Sequence, residues 1–134
     1  MGCSMIHTEP IIAVSNVADS LNWYTRLLDC HHTHTHNEVF DQLIDQDGKI
    51  LLCLHRWGDH QHPSLEDPDK GQPGNGLLLF FRLDHFDAAW ERAQALGTPI
   101  EARPHYNPFV LHQEFTLKDP DGYYITICSL RDKQ

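Results

Sequence analysis

Apolar side chains at Val17, Leu21, Tyr24 and Leu28 recur every three or four residues, which lines them along one face of a helix. Asn16 stands just before them as an N-cap. The same spacing returns at Phe86, Trp90, Ala93 and Leu96, with Asp84 as the expected cap and Gly97 as the stop. Each helix follows a short apolar strand, Ile11 to Val14 in the first half and Phe80 to Leu83 in the second. Further strands are expected at about 31–36, 38–44 and 50–56, then at about 99–103, 109–117 and 123–129.

The two halves repeat one order of elements. Asp45-Gln46-Asp47-Gly48 precedes the apolar run Lys49 to Leu54, and Asp119-Pro120-Asp121-Gly122 precedes Tyr123 to Cys128, 74 residues further on. The opening strands are 69 residues apart. Such a repeat signals a duplicated unit of strand, helix, strands, turn and strand. The Asp-x-Asp-Gly pieces read as hairpin turns, in which Gly supplies positive φ and Asp bonds its neighbouring backbone. A calcium loop would need a helix on each side and a distal Glu, and neither is present. Between the halves, Trp57 to Asn75 is rich in Gly, Pro, Asp and His. It is either a solvated linker or a loop over a cleft, in which case Trp57, His60 and His62 gain a role.

A chain of 134 residues with 40% hydrophobic and 22% charged side chains is one globular domain able to bury its own core. Its net charge of −9 disfavours binding to a nucleic-acid backbone, though not a local basic pocket. No apolar run approaches the ~18 residues of a membrane span, and no secretion signal opens the chain. Gly2 and Cys3 resemble lipid acceptors, but Ile6 stands where myristoylation needs Ser or Thr. Cys30, Cys53 and Cys128 lie in apolar runs without metal-finger spacing, as expected of reduced thiols in a cytoplasmic protein. No nucleophile-elbow motif, no patterned Cys–His pair and no phosphate-binding glycine loop occurs.

Trp23-Tyr24 late in the first helix, Leu27-Leu28-Asp29 at its end, Leu83-Asp84 opening the second and Leu96-Gly97 closing it form a recurring set. Together with Phe115-Thr116-Leu117-Lys118-Asp119-Pro120-Asp121-Gly122, they make the chain resemble the vicinal-oxygen-chelate superfamily. That group includes glyoxalase I, bleomycin- and fosfomycin-resistance proteins and extradiol dioxygenases. The resemblance covers about residues 9–129, with Asp29 a departure where the family commonly has Gly. It implies an α+β fold of two βαβββ modules, about 9–56 and 76–129, joined by the loop 57–75. Their mixed sheet would curl around a cleft, with the helices on the outer face. Metal-using members place ligands on the first and last strands of each module, positions that fall here on Glu9, Leu52, Leu78 and Thr126. Only Glu9 is a good ligand, so the resemblance implies no metal at that site and no cofactor.

Strand alternation extends those positions into a face. One parity holds Glu9, Ile11, Ile50, Leu52, Leu54, Arg56, Leu78, Phe80, Arg82, Tyr124, Thr126 and Cys128 and is expected to line the cleft. The other holds Pro10, Ile12, Val14, Leu51, Cys53, Leu79, Phe81, Leu83, Ile125 and Ile127, an apolar face for the helices. The expected binding residues are Glu9, Leu52, Arg56, Trp57, Leu78, Phe80, Arg82, Tyr124 and Thr126. Arg56 and Arg82 either end strands in solvent or hold an anion through forked donors. Glu9 either pairs with an Arg or faces solvent, or it contacts the ligand and, if buried in the cleft, serves as a proton acceptor. His112 and Glu114 alternate on one strand and face either the cleft or solvent. The run His32-Thr33-His34-Thr35-His36 would align three imidazoles on one strand face, a strip expected to pick up metal adventitiously.

Two functions stay open at this level. One is a small-molecule binder of the bleomycin-resistance kind, with a ligand that is small and anionic. The other is a lyase, isomerase or dioxygenase-like enzyme using Glu9 and histidines. A homodimer is expected, because open sheets with apolar inner faces gain from a partner.

Overall fold

A computed structural model describes residues 7–33, 38–58 and 62–132. The chain runs β1 (Ile11–Val14), α1 (Val17–Leu28), β2 (His31–His32), β3 (Phe40–Ile44), β4 (Ile50–Arg56), β5 (Leu78–Arg82), α2 (Phe86–Leu96), β6 (Ile100–Asn107), β7 (His112–Lys118) and β8 (Tyr124–Cys128). It is an α+β fold of two βαβββ modules. Each module forms a four-stranded sheet, ordered β1-β4-β3-β2 and β5-β8-β7-β6. The opening strand of each module pairs in parallel with its last, and the remaining pairs are antiparallel. Among the described residues no helix is long and apolar enough to cross a membrane.

The helices form where the periodicity placed them. Asn16 caps α1 through its side chain, accepting from the Asp19 amide at 2.9 Å. At the other end Asp29 adopts the left-handed conformation, φ 54° and ψ 51°, which most L residues avoid. Gly97 takes the same role after α2 with φ 75°. Asp84 is not the cap of α2: that position falls to His85, whose side chain makes no capping bond.

Both Asp-x-Asp-Gly turns are built alike. Asp45 Oδ1 accepts from the amides of Asp47 and Lys49, each at 2.9 Å. Asp119 Oδ1 accepts from Asp121 at 2.9 Å and Tyr123 at 2.8 Å. Gly48 and Gly122 supply φ of 81° and 91°. This matching geometry is direct structural support for the duplication.

One continuous core joins the modules. It takes Val17, Trp23, Tyr24 and Leu27 from α1, Phe86, Ala89 and Ala93 from α2, and strand residues from both sheets. Phe115 lies between Trp90 and Phe86, with ring centroids 5.1 and 5.4 Å away. Polar bonds also cross the boundary. Tyr24 donates to Asp119 Oδ2 at 2.6 Å, and Tyr123 donates to the Ala13 carbonyl at 2.9 Å. Arg92 Nε donates to the Leu27 carbonyl at 3.0 Å.

The second module's hairpin differs from the expected strand limits. β6 continues to Asn107, past Pro104, which an edge strand tolerates because its missing N–H need not enter a ladder. The turn then occupies residues 108–111, where the Asn107 side chain accepts from the Phe109 amide at 3.1 Å and Leu111 has φ 57°. β2 is described only at His31–His32, so the expected strip beyond it falls at residues 34–37, outside the described residues.

Two changes test this framework. Tyr24→Phe removes a donor from a buried carboxylate and should cost about 1.5–3 kcal/mol, read from denaturant unfolding. Burial, opposed by its three hydrogen bonds, raises the Asp119 pKa from its ordinary 3.8. The folded state therefore holds that proton more tightly, and stability should fall as pH rises from 3.8 through the raised value. Tyr24→Phe should deepen that fall, and an unchanged pH profile would remove Asp119 from the account. Separately, Asp29→Gly should raise stability by about 1 kcal/mol by relieving the left-handed backbone. A lower melting temperature in that variant would contradict the strain.

Candidate functional site

The inward face of the second sheet follows from its register. Leu78, Phe80 and Arg82 on β5 pair with Tyr124, Thr126 and Cys128 on β8. These pair in turn with Lys118, Thr116 and Glu114 on β7. The opposite side of the same strands carries Leu79, Phe115, Leu117, Ile125 and Ile127, all in the core. Of the expected binding residues, Leu78, Phe80, Arg82, Tyr124 and Thr126 are thus brought together on one surface.

That surface is graded. At one end Leu78 is 52% exposed, Phe80 48% and Tyr124 40%. Lys118 Nζ lies 5.2 Å from the centre of the Tyr124 ring and 3.5 Å from Glu101. In the middle the hydroxyls of Thr116 and Thr126 bond at 2.7 Å. At the far end Arg82 donates to the Ser129 carbonyl and, at 3.2 Å, to Nδ1 of His112. Since guanidinium can only donate, that nitrogen accepts. Glu114 accepts from Asn107 Nδ2 at 2.8 Å. Burial pushes the Cys128 thiol up to about 11, with nearby Arg82 pulling the other way.

The first module departs from the expected faces. β3 and β4 pair as Leu43 with Leu52 and then Ile44 with Ile50, so Leu51 is one extra residue in β4. A bulge of this kind reverses which side each later residue faces. Accordingly Ile11 pairs with Cys53 and Ile12 with Leu54. Leu52 and Leu54 are fully buried in the core and do not line a cleft. Arg56 follows their parity and also leaves the expected surface, ending β4 exposed. The first-module counterpart of Thr126 is therefore Cys53, because Ile11 and Phe80 are equivalent strand positions.

Glu9 lies just before β1, exposed, 3.5 Å from His7. Its charge helps to raise the Cys53 pKa, an effect led by burial of the thiol and opposed by a bond from Gln42. Trp57 is half-buried at the end of β4, its amide bonded to the Val14 carbonyl at 3.2 Å. His60 lies outside the described residues, and His62 is exposed. Gly74 to Leu77, where the linker enters the second module, join Leu78 and Tyr124 around an open depression of about 290 Å³. Gly74 is required there, since a Cβ would come 2.7 Å from the Tyr123 ring.

Sequence reasoning missed the contact of Cys128 with His112 and Glu114. The alternation of His112 and Glu114 was visible, but Cys128 joins them only through the β7–β8 register.

The model of the Glyoxalase/Bleomycin resistance protein/Dioxygenase superfamily matches residues 4–127, and the chain belongs to that superfamily. A family protein from Burkholderia phytofirmans PsJN shares the fold with a TM-score of 0.71 and 15% identity, over 89% of this chain and 94% of that one. A family protein from Nocardioides gives 0.68 and 17%, over 100% and 89%. TioX from Micromonospora sp. ML1 gives 0.68 and 14%, over 92% and 98%. Identities this low speak for the fold alone. No curated protein matches the sequence.

The reversed face has a direct test. Leu52→Ala should cost about 2–5 kcal/mol, as a core truncation does. Leu78→Ala, on a half-exposed side chain, should stay within about 0.5 kcal/mol. Equal costs in chemical denaturation would restore Leu52 to the cleft.

Proposed function

We propose that this protein binds a small molecule on the inward face of the second sheet. The carrying observation is the row Leu78, Phe80 and Tyr124, three large apolar side chains left about half exposed side by side. Scattered apolar side chains are ordinary on a surface, but a contiguous set beside placed polar groups has the composition of a ligand site. The ligand's apolar body would cover these three residues. Its anionic group would face Arg82, whose guanidinium is oriented by Ser129 and His112 and keeps further donors. Such a binder suits a cytoplasmic protein with free Cys30, Cys53 and Cys128.

The positions where metal-using relatives hold ligands offer Glu9, Cys53, Leu78 and Thr126 in this fold, a poor set for catalysis through that site. The grouping of Arg82, His112, Glu114 and Cys128 favours a second reading as a lyase or isomerase. A homodimer accords with either reading. Ile11 on edge strand β1 is 44% exposed, and a partner covering it would extend the inward face.

Calorimetric titration with a panel of aromatic carboxylates and their neutral amides tests the binder. We expect saturable heat with the acids, weakened about tenfold or more by Phe80→Ala and by Arg82→Ala, equivalent to about 1.4 kcal/mol each. Amides binding as tightly as acids would remove the anion from the account. Product formed from thiol adducts of 2-oxoaldehydes or from epoxides would replace the binder with the enzyme.

A further inference from the structure

His112, Glu114 and Cys128 present an imidazole nitrogen, a carboxylate oxygen and a thiol sulfur that all lie within 4.8 Å of one another. Glu114 and Cys128 are cross-strand partners, and His112 lies two residues before Glu114 on the same face. None of them occupies the first- and last-strand positions used by metal-dependent relatives.

A second observation points to a missing partner. The His112 side chain is 2% exposed, yet its Nε2 makes no hydrogen bond. That atom stands 3.7 Å from Glu114 Oε1, inside the cluster but beyond hydrogen-bond reach. Its other nitrogen is already engaged by Arg82. A buried imidazole nitrogen left without a hydrogen bond beside a carboxylate, in a group that also holds a thiol, has the geometry of an empty ligand set.

We propose that His112 Nε2, the Glu114 carboxylate and Cys128 Sγ bind one zinc ion. The mixture of nitrogen, oxygen and sulfur suits a borderline-soft divalent ion and selects against magnesium and calcium. Zinc holds such atoms at about 2.0–2.3 Å, so its ligands stand roughly 3.5 Å apart and the cluster must contract by about an ångström. The thiol releases its proton to solvent as the sulfur–zinc bond forms. The thiolate and carboxylate then balance the ion's charge. For Nε2 to bind, the imidazole proton moves to Nδ1, so Arg82 withdraws from that nitrogen and keeps its bond to Ser129. Asn107 donates to Glu114 Oε1 at 2.8 Å and so orients the carboxylate, as outer partners of metal ligands do. Three protein ligands leave a fourth position open on the inward face.

The test uses untagged, chelator-treated full-length protein, titrated with zinc against a chromophoric chelator and, separately, with cobalt. We expect one zinc per chain and a cobalt spectrum with a thiolate-to-metal charge-transfer band. Cys128→Ser and His112→Gln should each weaken zinc by more than about 100-fold, beyond the loss typical of an outer partner. The double change His34→Ala and His36→Ala should leave binding unchanged, which separates the cluster from the histidine run. Circular dichroism checks folding, and if Cys128→Ser does not fold, His112→Gln carries the test. Stoichiometry well below one, zinc retained in the ligand variants, or zinc lost with the histidine run would overturn the site. Zinc titration without any organic ligand stands apart from the small-molecule reading, so either can fail alone.

Discussion

The Asp119 carboxylate lies 3% exposed with three donors on it: the amides of Asp121 and Tyr123 and the phenol of Tyr24 from the other module. A buried carboxylate left unpaired is costly, so the turn and the first helix are held to one relative placement. That placement sets Tyr123 beside β1, where its hydroxyl bonds an Ala13 carbonyl. Asp121 reinforces it by accepting from Ser15. Asp45 builds the same turn in the first module, but the phenol bond belongs to Asp119 alone of the two. One copy of a duplicated turn has become the joint between the copies, and burial there raises the pKa values of both Tyr24 and Asp119.

The two inward faces have diverged for a simpler reason. One extra residue in β4 reverses its alternation, which takes Leu52 and Leu54 onto the helix-covered face and sets Cys53, itself buried, on the face it shares with Ile11. The second sheet has no such shift along β8, and its alternation runs unbroken from Tyr124 to Cys128. Its inward face therefore keeps a continuous sequence from exposed apolar rings to a buried polar cluster. A ligand with one apolar and one charged end would find both in a single strand direction.

Much of this was legible because the signals were local. Helical spacing at Val17 to Leu28 and at Phe86 to Leu96, the cap at Asn16 and the paired Asp-x-Asp-Gly turns each depend on neighbours in sequence. The faces of β5 and β8 followed from period two. The face of β4 did not, since a bulge arises from pairing with β3 and leaves no mark in a run as uniformly apolar as Ile50 to Leu54. Leu52 and Arg56 were misplaced for that reason alone. Likewise Cys128 reads as one more apolar residue until the register sets it beside Glu114. The failed cap at Asp84 is a shift of one residue, within the usual ambiguity of helix ends.

The inward face of the second sheet as the binding surface can be examined by amide chemical-shift mapping of the labelled protein during addition of an aromatic carboxylate. The account predicts saturating shifts concentrated at residues 78–82 and 124–128, with the outer helices Val17–Leu28 and Phe86–Leu96 little changed. Saturating shifts centred on the helices or on β2 and β3, with the second sheet silent, would contradict it.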